Sequence, residues 1–238
     1  MKKLIPYGLA NFRRIIEEHY YYVDKTHYIP LLEQTNTPVF LRPRRFGKSL
    51  FTEMLRWYYD CKAAPLFEKI FGQLYAGKHP TPLRNSYYFL GMDFSGMSDY
   101  SEEDKDFVRK RFAVKVMGFL TSFLRYYASL LKIDEPFIEK FQDTHLIDPG
   151  TALSVVVELV QNRGGKVYLT IDEYDALTNA MAINYIYAKD EENEYLNITR
   201  KGGFFRSFFE AIKGCMKIGL DRVFITGILP ITISDMNS

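Results

Sequence analysis

"VFLRPRRFGKSLFTEML" runs from Val39 to Leu55. Its left end completes "TPVFL" (37–41), a short apolar and β-branched run that reads as a buried strand. From Ser49 the period changes, and Leu50, Met54 and Trp57 or Tyr58 fall on one helical face. Between strand and helix stands Gly47-Lys48-Ser49, the end of the phosphate-loop pattern G-x-x-x-x-G-K-[ST]. A glycine there lets backbone N–H groups approach phosphate oxygens. Lys48 sets a cation against the β- and γ-phosphates, the Ser49 hydroxyl is a Mg²⁺ ligand, and the helix N-terminus favours an anion. Arg44, Arg45, Phe46 and Leu50 complete the expected nucleotide-binding stretch. Arg42 stands where the pattern has its first glycine. That predicts an altered opening turn without abolishing the site.

A second run fits the first. "KVYLTIDEYD" (166–175) is apolar until Asp172 and Glu173 arrive, more than a hundred residues after the loop. Two adjacent carboxylates at the end of a buried strand are costly unless a metal or base partners them. In nucleotide hydrolases the first acid sits near Mg²⁺ and the second polarises the attacking water. Asp172 is thus the second expected metal ligand after Ser49, and Glu173 the expected catalytic base. Asp175 reads as a helix cap or a supporting group. "RVFITG" (222–227) is a further strand, and Thr226 at its end is of the type that senses a γ-phosphate.

The rest of the chain alternates strands and helices, which predicts a mostly parallel sheet covered on both faces. "SYYFLGMDFSGM" (86–97) is another strand candidate, and 104–131 is the longest helix, with apolar residues at three- and four-residue steps. Asp148-Pro149 starts a helix by a capping carboxylate and a proline in the first turn. Residues 60–85, rich in Gly and Pro, read as irregular, and 182–203 as an exposed charged insertion. Tyr20–Val23 reads as extended. The net charge is +2, which demands no nucleic acid, and two distant cysteines form neither a metal motif nor a disulfide framework. No run approaches the ~18 apolar residues of a membrane helix. A cytoplasmic protein without a membrane partner is the expectation.

Together these stretches resemble the bacterial AAA-ATPase-like family, P-loop ATPase domains commonly fused to a PD-(D/E)XK nuclease domain. The matching segments are "YYYVDKTHYI" (20–29), "FLRPRRFGKSLF" (40–51), "LTIDEYDAL" (169–177) and "VFITGILPI" (223–231). The family also tends to lack the first glycine, so Arg42 fits it. The resemblance implies a three-layer α/β P-loop fold of the ASCE type across 1–238, with the sensor strand between loop and acid strands. It implies ATP and Mg²⁺ as ligands, and a homo-oligomer or a nuclease domain as partners. The family pattern runs on past Ser238, so a C-terminal truncation is expected, which leaves "TPVFL" as an edge strand with "YYYVDK" as its cover. Three functions stay open on the residues: ATP hydrolysis, a nucleotide-dependent switch that hardly turns over, and nucleic-acid binding through the arginine cluster.

Overall fold

The computed structural model describes residues 3–97, 105–146, 148–176 and 203–228. Four strands form one sheet: β1 (Val39–Leu41), β2 (Tyr88–Asp93), β3 (Val167–Asp172) and β4 (Leu220–Gly227). All are parallel, in the order β1-β4-β3-β2. The acid-bearing β3 is therefore separated from the loop strand β1 by β4. Parallel neighbours need crossover connections. Helices α3 (Lys48–Tyr59), α6 (Lys105–Leu131), α8 (Pro149–Gln161) and α9 (Phe204–Cys215) lie in those connections.

Alternation along the strands sorts the core into two layers. Val167, Leu169 and Ile171 of β3 join Val223 and Ile225 of β4 in a cluster with α6, α8 and α9. Tyr168 and Phe224, one residue out of step, join Met54, Leu55, Tyr58 and Tyr59 of α3 in a second cluster. Phe12 of α1 (Phe12–Glu17) and Phe67 and Phe71 of α4 (Phe67–Phe71) pack there too. By the same alternation Asp172 shares a face with Tyr168, and Thr226 with Phe224. The polar ends of β3 and β4 thus open on the side of α3, where Lys48 begins its helix.

Local signals account for most helix starts. Asp148 accepts from the Gly150 and Thr151 amides, both at 3.1 Å, ahead of Pro149 in the first turn of α8. Asp134 does the same for α7 (Glu135–His145), accepting from Phe137 N at 3.1 Å. The segment expected to be irregular, 60–85, instead holds a 3-10 turn at Cys61–Leu66, α4, and α5 (Tyr75–Lys78). Burial explains the difference: Phe67, Ile70 and Phe71 dock on the α3 layer, so packing outweighs weak local propensity. Just ahead of a 3-10 turn at Thr26–Tyr28 that leads into α2 (Ile29–Leu32), Asp24 accepts from Thr26 N at 2.8 Å.

Among the described residues β1 pairs with β4 alone, and Val39 is exposed. Tyr20–Val23, expected to be extended, lies outside any helix or strand. Arg222 fastens the chain ahead of β1 to β4, donating to Glu33 O and Thr35 O, each at 3.1 Å. The charged insertion expected over 182–203 and the chain beyond 228 lie outside the described residues, apart from Gly203.

One buried polar knot ties β2 to its flanking helices. Asp60, 3% exposed, accepts from Tyr127 Oη at 2.7 Å, Lys62 N at 2.8 Å and Tyr126 Oη at 3.0 Å. Tyr127 Oη in turn accepts from Phe89 N at 2.8 Å. Tyr127→Phe removes a donor from a buried carboxylate and orphans a buried amide. The expected loss is about 1–2 kcal/mol of stability, read from the urea midpoint. A loss below ~0.5 kcal/mol, the level of an ordinary surface change, would show that the knot carries no weight.

Candidate nucleotide site

The site lies at the carboxyl ends of the parallel strands, the usual ligand position in open α/β sheets. The chain leaves β1 with Arg42 N donating to Gly227 O of β4 at 3.1 Å. Residues Arg42–Gly47 form an exposed loop, and Lys48 opens α3. Arg45 and Gly47 both have positive φ, 67° and 78°, so the loop turns twice through the left-handed region. Glycine accepts that conformation freely at position 47. The Arg42 guanidinium lies over the Phe40 ring, 5.2 Å from its centroid.

Lys48 is 5% exposed and folds back on its own loop. Its Nζ donates to Arg42 O at 3.0 Å and Pro43 O at 3.2 Å. An ammonium has three donors, so one remains for a ligand. Ser49, Leu50 and the exposed Arg44, Arg45 and Phe46 sit around it in the loop and first helical turn. Across the sheet end, the Thr226 hydroxyl donates to Asp172 Oδ1. Glu173 N donates to the same oxygen at 3.1 Å. Asp172 is 5% exposed and Thr226 fully buried. Tyr174 N bonds Thr226 O at 3.1 Å, and Asp175, expected as a cap or supporting group, accepts from Ile228 N at 2.9 Å. Gly227 is required at this crossing: a Cβ there would collide with the Tyr174 ring.

Glu173 has φ 52°, an uncommon region for a non-glycine residue and a mark of functional sites. Burial raises its pKa, followed by the charges of Asp172 and Asp93; Lys48 and Arg44 pull the other way. The fold therefore disfavours the ionised carboxylate. Its contribution is most favourable below the unfolded pKa and is lost as pH rises through the raised folded value. Glu173→Gln should accordingly raise the melting temperature at pH 7, by ~1–3 °C after allowing for solvent screening. The gain should vanish near pH ~3, where glutamate is protonated in both states. A lower melting temperature at pH 7, or the same gain at both pH values, would contradict this charge balance.

The sheet register brings in two groups that the sequence reading left unassigned. Asp93 ends β2 directly opposite Asp172, with Oδ1 accepting from Ser95 N at 2.8 Å. Lys115 of α6 donates to Ser95 O at 2.6 Å and feels the charges of Asp93 and Glu173, while burial lowers its pKa. Asp93 had a readable signal: "YFLGMD" is an apolar strand closed by an acid, as "VYLTID" is. Lys115 had none.

Arg13, Arg14, Arg163, Arg200, Arg206 and Arg222 are candidates for neutralising nucleotide charge, and those that are described are engaged within the chain. Arg13, Arg14 and Arg206 pair with Glu17, Glu18 and Glu210 one helical turn on. Arg163 donates to Leu131 O at 3.0 Å, and Arg222 holds the segment ahead of β1. Arg200 lies outside the described residues. Among the described residues, no helix is long and apolar enough to cross a membrane, and no cluster of three or more His, Cys, Asp or Glu could hold a metal by itself.

Two comparisons with known proteins found similarities. An "uncharacterized protein in vnfD 5'region" of Azotobacter chroococcum mcd 1 is 50% identical over 56 residues, which is 23% of this chain and 11% of that protein. No solved structure matches. The AAA-ATPase-like family, described as "Predicted AAA-ATPase", matches residues 6–237. With a phosphate-loop sequence, a four-stranded parallel sheet and nearly its whole length matched, the chain belongs to the AAA-ATPase-like family.

Proposed function

We propose that this chain is an ATP-binding domain of the ASCE type that hydrolyses ATP with Mg²⁺. The observation that carries the reading is the strand order. With β4 between β1 and β3, Lys48, Thr226 and the Asp172-Glu173 pair share one end of the sheet. In this reading Gly47, Lys48 and Ser49 hold the triphosphate, and Arg44 and Arg45 add positive charge at its rim.

The residues fit a bound Mg²⁺. Asp172 is nearly buried, and its Oδ2 has no hydrogen-bond partner among the described residues. The Ser49 side chain has none either, on an exposed turn. Mg²⁺ commonly takes one or two protein oxygens and completes its shell with phosphate and water. When bound, it neutralises charge on the β- and γ-phosphate oxygens. Lys48 gives its remaining donor to the same phosphates. Glu173 accepts the proton of the attacking water, and burial, by raising its pKa, makes it a stronger base than an ordinary carboxylate. Thr226 has a single hydroxyl proton, committed to Asp172. It therefore positions that carboxylate here, and to sense a γ-phosphate it must first let go.

Release of inorganic phosphate from ATP, with Mg²⁺ and with a chelator, tests the reading. Saturable, Mg²⁺-dependent release is expected. Binding of ATP with no release supports the second reading, a nucleotide-dependent switch. That reading has its own observation: Arg13, Arg14, Arg163, Arg206 and Arg222 all have partners within the chain. In that reading a second copy or another chain can supply the arginine that switches on turnover.

A further inference from the structure

Lys115 is a half-buried cation on α6. Its Nζ donates to Ser95 O at 2.6 Å, and among the described residues it forms no ion pair. An ammonium has three donors, so two remain. Burial lowers its pKa, against the charges of Asp93 and Glu173 and with that of Arg111. A charge partly withdrawn from water is costly until an anion joins it. The turn that Lys115 touches is tied to the acid pair. Phe94 N donates to Asp172 O at 3.0 Å, and Ser95 N to Asp93 Oδ1 at 2.8 Å. Arg111, one helical turn before Lys115, donates to Gly96 O at 3.3 Å. Phe94 is 1% exposed and stacks on Phe112 of α6, with ring centroids 5.5 Å apart. That stack fixes the level at which Lys115 leaves its helix. A single bond to a neutral carbonyl then holds the ammonium, on a flexible four-carbon stem.

We propose that Lys115 is a second catalytic cation of the site, supplied by the same chain: its ammonium binds the terminal phosphate of ATP on the side where water attacks. The inference rests on the ATP-hydrolysing reading. In that step the oxygen of a water bonds to the γ-phosphorus and its proton passes to Glu173. The bond to the bridging oxygen breaks, and its electron pair stays on ADP. Attack and departure are in line. ADP remains on Gly47 and Lys48, so the incoming water stands at the Glu173 end, whose charge Lys115 feels. The two lysines reach the sheet end from opposite layers, Lys48 from α3 and Lys115 from α6. The described candidate arginines are held elsewhere in the chain. Lys115 supplies the charge that they do not.

Lys115→Gln and Lys115→Arg test this on the full chain with Mg²⁺. Glutamine can still donate to Ser95 O but carries no charge, whereas arginine keeps the charge. Three quantities are read: phosphate release, ATP affinity, and affinity for ADP with aluminium fluoride, a mimic of the phosphoryl group in transfer. Lys115→Gln should slow release about 10²-fold and weaken the ADP–aluminium fluoride complex at least about tenfold. Its ATP affinity should stay within about twofold of the parent, and Lys115→Arg should stay within about fivefold in all three. Release per chain should not change on dilution, because no second copy supplies the charge. A Lys115→Gln chain that matches the parent, an arginine variant as impaired as the glutamine one, or release that falls away on dilution overturns the proposal. Equal losses of ATP and of the aluminium fluoride complex overturn it too, and make Lys115 a group that only shapes the site. So does a parent chain that binds ATP but neither releases phosphate nor gains affinity from aluminium fluoride, which leaves the switch reading standing. Failure of the parent to bind ATP at all removes the ATP reading, and this inference with it.

Discussion

Glu173→Gln is expected to slow ATP turnover by ~10²–10⁴-fold, the usual worth of a general base, with nucleotide affinity preserved. The amide keeps the size and hydrogen-bonding reach of the carboxylate but cannot take a proton from water. The backbone that presents it, at φ 52°, is set by the turn after β3, where Tyr174 N bonds Thr226 O. The substitution should not disturb that turn. Nor does it touch Asp172, whose Oδ1 is held by the Thr226 hydroxyl and the Glu173 amide. Removing a negative charge beside Asp172 and Asp93 can only ease the approach of a polyanion. Single-turnover phosphate release measured alongside nucleotide affinity separates the effects. Equal release rates in parent and variant would remove Glu173 from the chemistry. A parallel loss of affinity would make it a binding group.

The parts of this site that were legible in the sequence are those with strict local demands. Gly47-Lys48-Ser49 can be read because backbone approach, a cation and a hydroxyl must fall in consecutive positions at the start of a helix. The strands "VYLTID" and "RVFITG" can be read because parallel strands are buried on both faces and show as unbroken apolar runs. Asp93 was legible as an acid closing an apolar strand, but its place opposite Asp172 was not, because register between strands some eighty residues apart leaves no local trace. Lys115 reaches the site from the middle of α6, where a lysine reads as ordinary helix surface. In 60–85, Gly72 and Pro65 argue locally against helix, and the burial of Phe67 and Phe71 overrides them. Helix α7 carried the same kind of signal as α8, an aspartate and a proline at its start. Tyr20–Val23, read as extended, belongs to no strand, and Tyr21, Tyr22 and Val23 wall a pocket instead.

Lys48→Ala should weaken ATP binding by about 1.5–3 kcal/mol, the range for a charge-assisted hydrogen bond, or roughly 10- to 150-fold. Two effects act together. The ammonium is lost from a position where it is nearly buried, and the loop loses the clasp from Nζ to Arg42 O and Pro43 O. The clasp is internal, so its loss should loosen the loop without unfolding the sheet, and circular dichroism should be unchanged. Calorimetric titration of ATP with Mg²⁺ into the chain and into this variant is therefore the most direct measurement. The account predicts saturable binding of one nucleotide per chain, weakened at least tenfold in Lys48→Ala. Unchanged affinity in a folded Lys48→Ala chain, or no binding to the parent at all, would contradict it.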